Sequence, residues 1–316
     1  MKALLYWNHI CVLHKQEKEH LMALQSRLKE EGIDLTVRYF GLGYPEHMSD
    51  YLARPDAELP DLIVSADLEV FEDPRIFGKF SESLIPLTDR IELRPSLALD
   101  AVWRGDMLLP FVAIPLVYYT RTPQALEGKA LSDLDLAIGG INNSAGKSIT
   151  KTLWCREGKA AAREFLQRCE VSDMPIGAFQ SVRLGQHHSA LVPSIYALRA
   201  DEKQTFLRVP KEGPLLIPSY LCARNTLPIE VTDRILRGII DPSLCNFYAS
   251  GGDLIVYPQH HSPNSKQMSD RYQLPSADWL ETLDPVEFYS LYCARLATAI
   301  DPVTAGERAG GKASGA

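Results

Sequence analysis

Leu59-Pro60-Asp61-Leu62-Ile63-Val64-Ser65-Ala66-Asp67 carries a short apolar run that gives way to small polar residues. A run of this length, with proline before it and a Ser/Asp turn after it, reads as a buried strand leading into a turn. Upstream, residues 3–7 form a second short apolar run, and Leu13, Leu21, Leu24 and Leu28 then fall on one face of a helix that ends at Gly32. Ile33, Leu35, Val37 and Tyr39 alternate as a strand, Gly41, Gly43 and Pro45 mark a loop, and a short helix is expected near residues 47–53.

The same logic repeats downstream. Residues 134–140 read as a strand, 148–155 and 160–169 as helices, and 190–193 as another short strand. Helical spacing returns over residues 228–238. It returns again over 286–299, with Pro285 at the start and Phe288, Tyr289, Tyr292 and Leu296 on one side. Strands alternating with helices predict an α/β fold whose mostly parallel sheets are covered on both faces. In such sheets ligands lie beyond the carboxyl ends of the strands, so each strand-to-helix turn is a place to look for function.

With 316 residues, 46% hydrophobic and 23% charged, the chain is long enough for two compact domains, each with its own core. The formal net charge of -7 gives no footprint for a phosphate backbone, which argues against a nucleic-acid partner. No stretch of 18 apolar residues occurs. The longest candidate, residues 107–119, is short and holds Pro110 and Pro115, so no membrane insertion is expected. The opening Met1-Lys2-Ala3-Leu4-Leu5-Tyr6-Trp7 runs straight into Asn8-His9 without an apolar signal core. The expected location is therefore cytoplasmic as the sequence stands, or periplasmic if a signal peptide was removed. Cys11, Cys155, Cys169, Cys222, Cys245 and Cys293 form no C-x-x-C pair and read mainly as buried small hydrophobes. Residues 301–316 are rich in Gly, Ala and Ser and read as a disordered tail.

Four segments, in order, resemble the type II periplasmic solute-binding proteins of ABC transporters, especially the branch that takes ferric iron and oxyanions. They are Pro60 to Asp67, then Val102-Trp103-Arg104-Gly105-Asp106 through Val117-Tyr118-Tyr119-Thr120, then Val209-Pro210-Lys211-Glu212-Gly213-Pro214-Leu215, and the helical segment after Pro228. The resemblance implies a two-lobed fold, each lobe a mixed, mostly parallel sheet flanked by helices. Lobe one would be residues 1–115 plus 222–300 and lobe two 116–221, with hinges near residues 113–118 and 216–222. It also implies a small-molecule or ion ligand in the cleft, no cofactor, no catalysis, and the membrane component of an ABC transporter as a partner.

The candidate ligand-binding residues follow from the turns. In lobe one these are Asn8 and His9 after the first strand, and Ser65 and Asp67 after the third, although the last two are equally suited to cap a helix. In lobe two, Asn142, Asn143, Ser144 and Lys147 occupy a glycine-rich turn at the mouth of a helix. There free amides, the helix dipole and a lysine favour a negative group, though a plain capped turn explains the same residues. Ser194 lies in a second turn of that lobe.

Two enzyme motifs fail at this loop. A Walker A loop needs glycine where Ile141 stands, and a nucleophile elbow needs glycine where Asn142 stands. The doublets His187-His188 and His260-His261 seldom supply two ligands to one ion, since neighbouring strand residues point to opposite faces. Tyr118, Tyr119 and Tyr248 read as packing residues rather than metal ligands, and the metal question stays open. The expected function is a solute-binding protein or sensor for an anionic or metal-containing solute. The alternative is an enzyme of cofactor biosynthesis on the same scaffold.

Overall fold

The computed structural model describes residues 1–10, 13–41, 44, 46–94, 97–140, 144–257 and 269–300. The expected tail and the second histidine doublet lie outside the described residues. From the amino terminus come β1 (Lys2–His9), α1 (His14–Glu30), β2 (Asp34–Gly41), α2 (Met48–Ala53) and β3 (Leu62–Ser65). The short helices α3 (Glu69–Glu72), α4 (Pro74–Phe77) and α5 (Leu97–Val102) lead to the long strand β4 (Leu109–Thr120). Next are β5 (Ala137–Gly139), α6 (Ser144–Glu157), α7 (Lys159–Arg168), β6 (Glu170–Ser172), α8 (Pro175–Arg183) and β7 (Ser189–Pro193). Then follow α9 (Ser194–Ala197), β8 (Phe206–Arg208), β9 (Leu215–Ala223), α10 (Ile229–Ile239), α11 (Pro242–Ser250), α12 (Ala277–Thr282) and α13 (Pro285–Ile300).

The chain forms two compact units. Unit 1 is Met1–Val117, Pro193–Arg199 and Val209–Leu274. Its strands are ordered β2-β1-β3-β9-β4, with β1 parallel to β2 and β3, and β9 antiparallel to β3 and β4. Side-chain alternation along β1 feeds two cores. Ala3, Leu5 and Trp7 pack with Leu21, Leu24 and Leu28 of α1 and Ile235, Leu236 and Ile239 of α10, while Tyr6 joins Phe40, Ile63, Met48 and Leu52 on the other face. Each fully buried leucine contributes about 1.5–3 kcal/mol, so the 3–4 spacing of α1 is enough to fix which face it turns inward. All residues of β4 and β9 are buried. Proline in a strand withholds a ladder donor, and the β4–β9 register shifts between Pro110 and Ala113; Ala113, opposite Pro218 of β9, also bridges Leu254.

Unit 2 is Tyr118–Val192, Ala200–Arg208 and the segment from Pro275 onward. There the end of β4 pairs antiparallel with β8, and β5 is parallel to both β6 and β7. Ile138, Ile149, Leu153, Phe165, Phe179 and Leu191 are among its buried side chains.

The α/β class read from the sequence is the class observed. The compact units divide the chain at other points than the expected lobes. Residues 193–199 and 209–221 fall in unit 1, and the stretch from Pro275 falls in unit 2. The causes are local. Ser194 bonds to Gly251, β9 completes the unit 1 sheet beside β3, and α13 packs on the helices of unit 2 through Lys159–Glu287 and Trp154–Phe288.

Candidate functional site

Unit 1 places His9 at the carboxyl end of β1, on the Trp7 face, while Asn8 points to the opposite face and is half-buried. The two neighbours therefore do not act together. His9 Nδ1 lies 2.5 Å from Glu17 Oε2, and both side chains are shielded from solvent. Glu17 also accepts hydrogen bonds from the Trp7 indole N–H at 3.3 Å, the Ile10 amide at 3.2 Å and the Tyr248 hydroxyl at 2.7 Å. Tyr39 stacks on the His9 ring at 4.8 Å and 6°, with Tyr44 at 5.7 Å and 21°.

Burial dominates the proton chemistry of this cluster. It pushes the Tyr39 phenol up to about 12, with Tyr44 and Glu17 adding to the effect. Burial and the Glu17 carboxylate likewise hold the Tyr248 phenol and the Asp253 carboxyl well above their ordinary ranges. With this many hydrogen-bond partners, the Glu17 carboxyl oxygens are fully engaged inside the protein.

Ser65 and Asp67 are tied into hydrogen bonds within unit 1. The Asp67 amide donates to Ser65 Oγ at 2.9 Å, and Asp67 Oδ2 accepts the Ser49 amide at 2.9 Å, capping the first turn of α2. Ser194 is fully buried and donates to the Gly251 carbonyl at 2.9 Å. It was expected in lobe two but belongs to unit 1, because the chain returns there at Pro193.

In unit 2, β5 delivers the chain to the head of α6. Asn142 and Asn143 lie outside the described residues, while Ser144 opens the helix and Lys147 is its fourth residue. Gly139 has no room for a side chain, since a Cβ would lie 2.2 Å from Pro175 Cα at the start of α8. Lys147 Nζ is 5.7 Å from the centre of the Tyr289 ring. Ser148 Oγ and Thr152 Oγ1 on α6 are buried without a hydrogen-bond partner. The head of α6 thus sets a lysine in the first turn, at the positive end of the helix dipole.

No group of three His, Cys, Asp or Glu is placed to hold a metal ion among the described residues. His187 Nδ1 is 3.0 Å from the Ser189 carbonyl, and Nε2 lies 3.4 Å from Asp135 and 4.0 Å from the exposed Glu170. Tyr119 packs on Phe179 at 4.7 Å, and Tyr248 is spent on Glu17. Glu17, Trp7 and Tyr39 were not among the residues expected at a site. The available signal was an acid at position 17, on the apolar stripe formed by residues 13, 21, 24 and 28.

No family profile and no curated protein sequence matches the chain. Solved structures do. Iron-bound HitA from Pseudomonas aeruginosa superposes with a TM-score of 0.67 at 15% identity, over 93% of this chain and 99% of that one. The ferric binding protein from Campylobacter jejuni gives 0.68 at 11% identity, over 93% and 99%. A periplasmic thiamin binding protein gives 0.59 at 12% identity, over 93% and 96%. The chain has the periplasmic solute-binding-protein fold. One solute-binding fold thus carries iron in one neighbour and thiamin in another, and the ligand has to be argued from this chain's own side chains.

Proposed function

We propose that the chain binds a small solute with a negative group at the head of α6 and releases it unchanged. The fold supports the binding role, because its structural neighbours are binding proteins matched over almost their whole length. The chemistry rests on one observation: Lys147 stands in the first turn of a 14-residue helix, at the positive end of its dipole. Asn142 and Asn143 are sequence neighbours of that turn and belong to the proposed site. A metal-containing solute, such as a ferric chelate with anionic ligands, fits the same head through its negative groups. This reading implies closure of two lobes on the solute and an ABC transporter membrane component as partner.

Mass spectrometry of the undenatured protein as purified identifies a retained solute. Thermal unfolding with oxyanions, small carboxylates and ferric chelates then tests the class. A ligand at a hundred times its dissociation constant adds about 2.7 kcal/mol of apparent stability. Lys147→Ala weakens an anionic ligand more than a neutral one. Consumption of the stabilising compound with stoichiometric product overturns the binding reading in favour of an enzyme. Stabilisation by neutral or cationic compounds alone overturns the anion assignment.

A further inference from the structure

Arg38 sits midway along β2, the edge strand of the unit 1 sheet, with Tyr6 as its register partner on β1. The same face of the sheet carries Phe40 and is covered by Tyr51 of α2, and all three rings are buried. The Arg38 guanidinium lies over Tyr51 with Cζ 3.6 Å from the ring centre, and 5.3 Å and 5.8 Å from the centres of Phe40 and Tyr6. At the Tyr51 separation the two planes meet face to face, because a guanidinium that met the ring edge-on would hold its carbon further off. The ring itself is pinned. The Glu58 amide donates to the Tyr51 hydroxyl at 3.0 Å, and the Tyr6 hydroxyl donates to the Glu58 carbonyl at 2.7 Å.

What this arrangement lacks is a counter-charge. Among the described residues Arg54, Arg75, Arg90, Arg208 and Arg234 each reach a carboxylate, whereas Arg38, which is half-buried, forms no ion pair. A guanidinium drawn partly out of water is normally paired, since its lost hydration has to be replaced. With 40 acidic residues in the chain, an internal partner was not scarce. The positive field is felt by the ring beneath it. Burial raises the Tyr51 phenol, yet the Glu58 amide, the Tyr6 hydroxyl and Arg38 together hold it below its ordinary range. Arg54 also lies over Tyr51, at 5.7 Å, but its charge is spent on Glu46.

We propose that the edge of the Arg38 guanidinium is a carboxylate-binding subsite on unit 1. Stacking uses the face of the cation and leaves N–H groups in its plane, the direction in which a guanidinium holds both oxygens of one carboxylate. Tyr51 fixes that plane, so the fork is set before the ligand arrives and little ordering is left to be done on binding. The carboxylate comes from a free organic acid or from an Asp or Glu in an extended segment of another protein. Such a segment can run beside β2, whose one partner among the described strands is β1. The subsite shares no residue with the α6 turn and stands whether or not that turn binds an anion.

The test is made on the full chain, isotope-labelled at the arginine side-chain nitrogens and followed by magnetic resonance. One arm titrates sodium acetate, and the other a valine–threonine pentapeptide with a central glutamate. Sodium chloride at matched ionic strength and the same peptide with glutamine are the controls. The Nε–H signal of Arg38, identified by its loss in Arg38→Lys, is expected to shift saturably with a carboxylate and to ignore both controls. Arg38→Lys keeps the charge and the apolar stem but cannot offer two parallel bonds. Followed at the β2 amides, it should bind the carboxylate about two- to tenfold more weakly, the equivalent of one hydrogen bond. An equal response to acetate and to the glutamate peptide supports the subsite with a free acid as its ligand, and a tighter response to the peptide supports it with a protein segment. No shift beyond the controls in either arm overturns the subsite. So does Arg38→Lys binding as tightly as the parent. The first readout is taken on the parent protein and does not depend on how the variant folds.

Discussion

The heads of α1 and α6 are built on one plan and finished with opposite charges. Each follows a buried parallel strand, and each helix leads with amides that have no carbonyl partner within the helix. The fourth residue of α1 is Glu17 and the fourth residue of α6 is Lys147. At α1 the chain's own carboxylate takes the Ile10 amide and gathers Trp7, His9 and Tyr248 around it. The donors at the end of β1 are satisfied from within the chain. At α6 the Tyr289 ring lies against Lys147, and the Tyr292 hydroxyl donates to the Gly140 carbonyl. A strand-to-helix turn is receptive to anions by geometry, and one residue in the first helical turn decides whether the protein supplies the anion itself.

The largest effect is expected from breaking the filled head. Glu17→Ala strips the acceptor from His9, Trp7 and Tyr248 at once and leaves buried polar groups unpaired. It should cost unit 1 about 3–5 kcal/mol, since several buried donors lose their acceptor at about 1–3 kcal/mol each. Native-state hydrogen exchange of β1 and α1 amides measures it. A loss below about 1 kcal/mol would mean that the cluster does not hold the head of α1 in place. Gly139→Ala attacks the other head. The new methyl would meet backbone atoms of Met174 and Pro175 at 2.2–2.5 Å, and backbone cannot swing aside as a long side chain can. Overpacking of this kind costs about 1–3 kcal/mol, and it should appear in the exchange of β5 and α8 while unit 1 keeps its protection.

How much of this was legible in the sequence depends on the kind of signal. Periodicity placed α1, β2, α10 and α13 well, because their apolar residues repeat at 3–4 or at 2. It gave no account of β4 as a single strand. Its residues are apolar on both faces and interrupted by Pro110 and Pro115, so no alternation exists to read, and only pairing with β9 reveals it. At the sites, Ser65 and Asp67 were open to two readings. Their observed bonds are a local turn and a cap on α2, a partner 18 residues away that no local pattern names. Ser194 falls in unit 1, where its hydroxyl bonds to Gly251, a partner 57 residues away that no local pattern names. Glu17 left a trace that went unused. An acid on the stripe of Leu13, Leu21, Leu24 and Leu28 must be paired if it is buried, and the pairing partner is then a site to find.

Asp253 sharpens the comparison through pH. Burial first, and then the charge of Glu17, hold its carboxyl well above 3.8 in the folded chain. The folded state therefore keeps a proton that the unfolded state has released at mid-range pH, so this group's contribution is full below the unfolded value and is lost as pH rises toward the folded one. Asp253→Asn mimics the protonated form at every pH. It should leave stability near pH 4 almost unchanged and make unit 1 more stable than the parent at pH 7 and above. Melting curves from pH 4 to 8 measure the difference between the two slopes. Parallel curves would show that Asp253 ionises alike in both states.

The smallest expected change in stability carries the sharpest information about the two heads. Lys147→Glu gives α6 the charge that α1 already has. A carboxylate in the first turn gains about 0.3–1 kcal/mol from the helix dipole, and removal of the lysine forfeits a cation–π contact with Tyr289 worth about 0.5–1 kcal/mol when exposed. These terms oppose each other, so the melting temperature should stay near that of the parent. Anion binding behaves differently, because the incoming ligand loses a positive charge and meets a negative one that competes for the same amides. Inorganic phosphate or the retained solute should then fail to protect the head of α6 at any concentration that protects the parent. A neutral ligand should be far less affected. If Lys147→Glu binds anions as the parent does, the charge at the fourth helical position does not distinguish the two heads, and the anion site must be sought on another turn of unit 2.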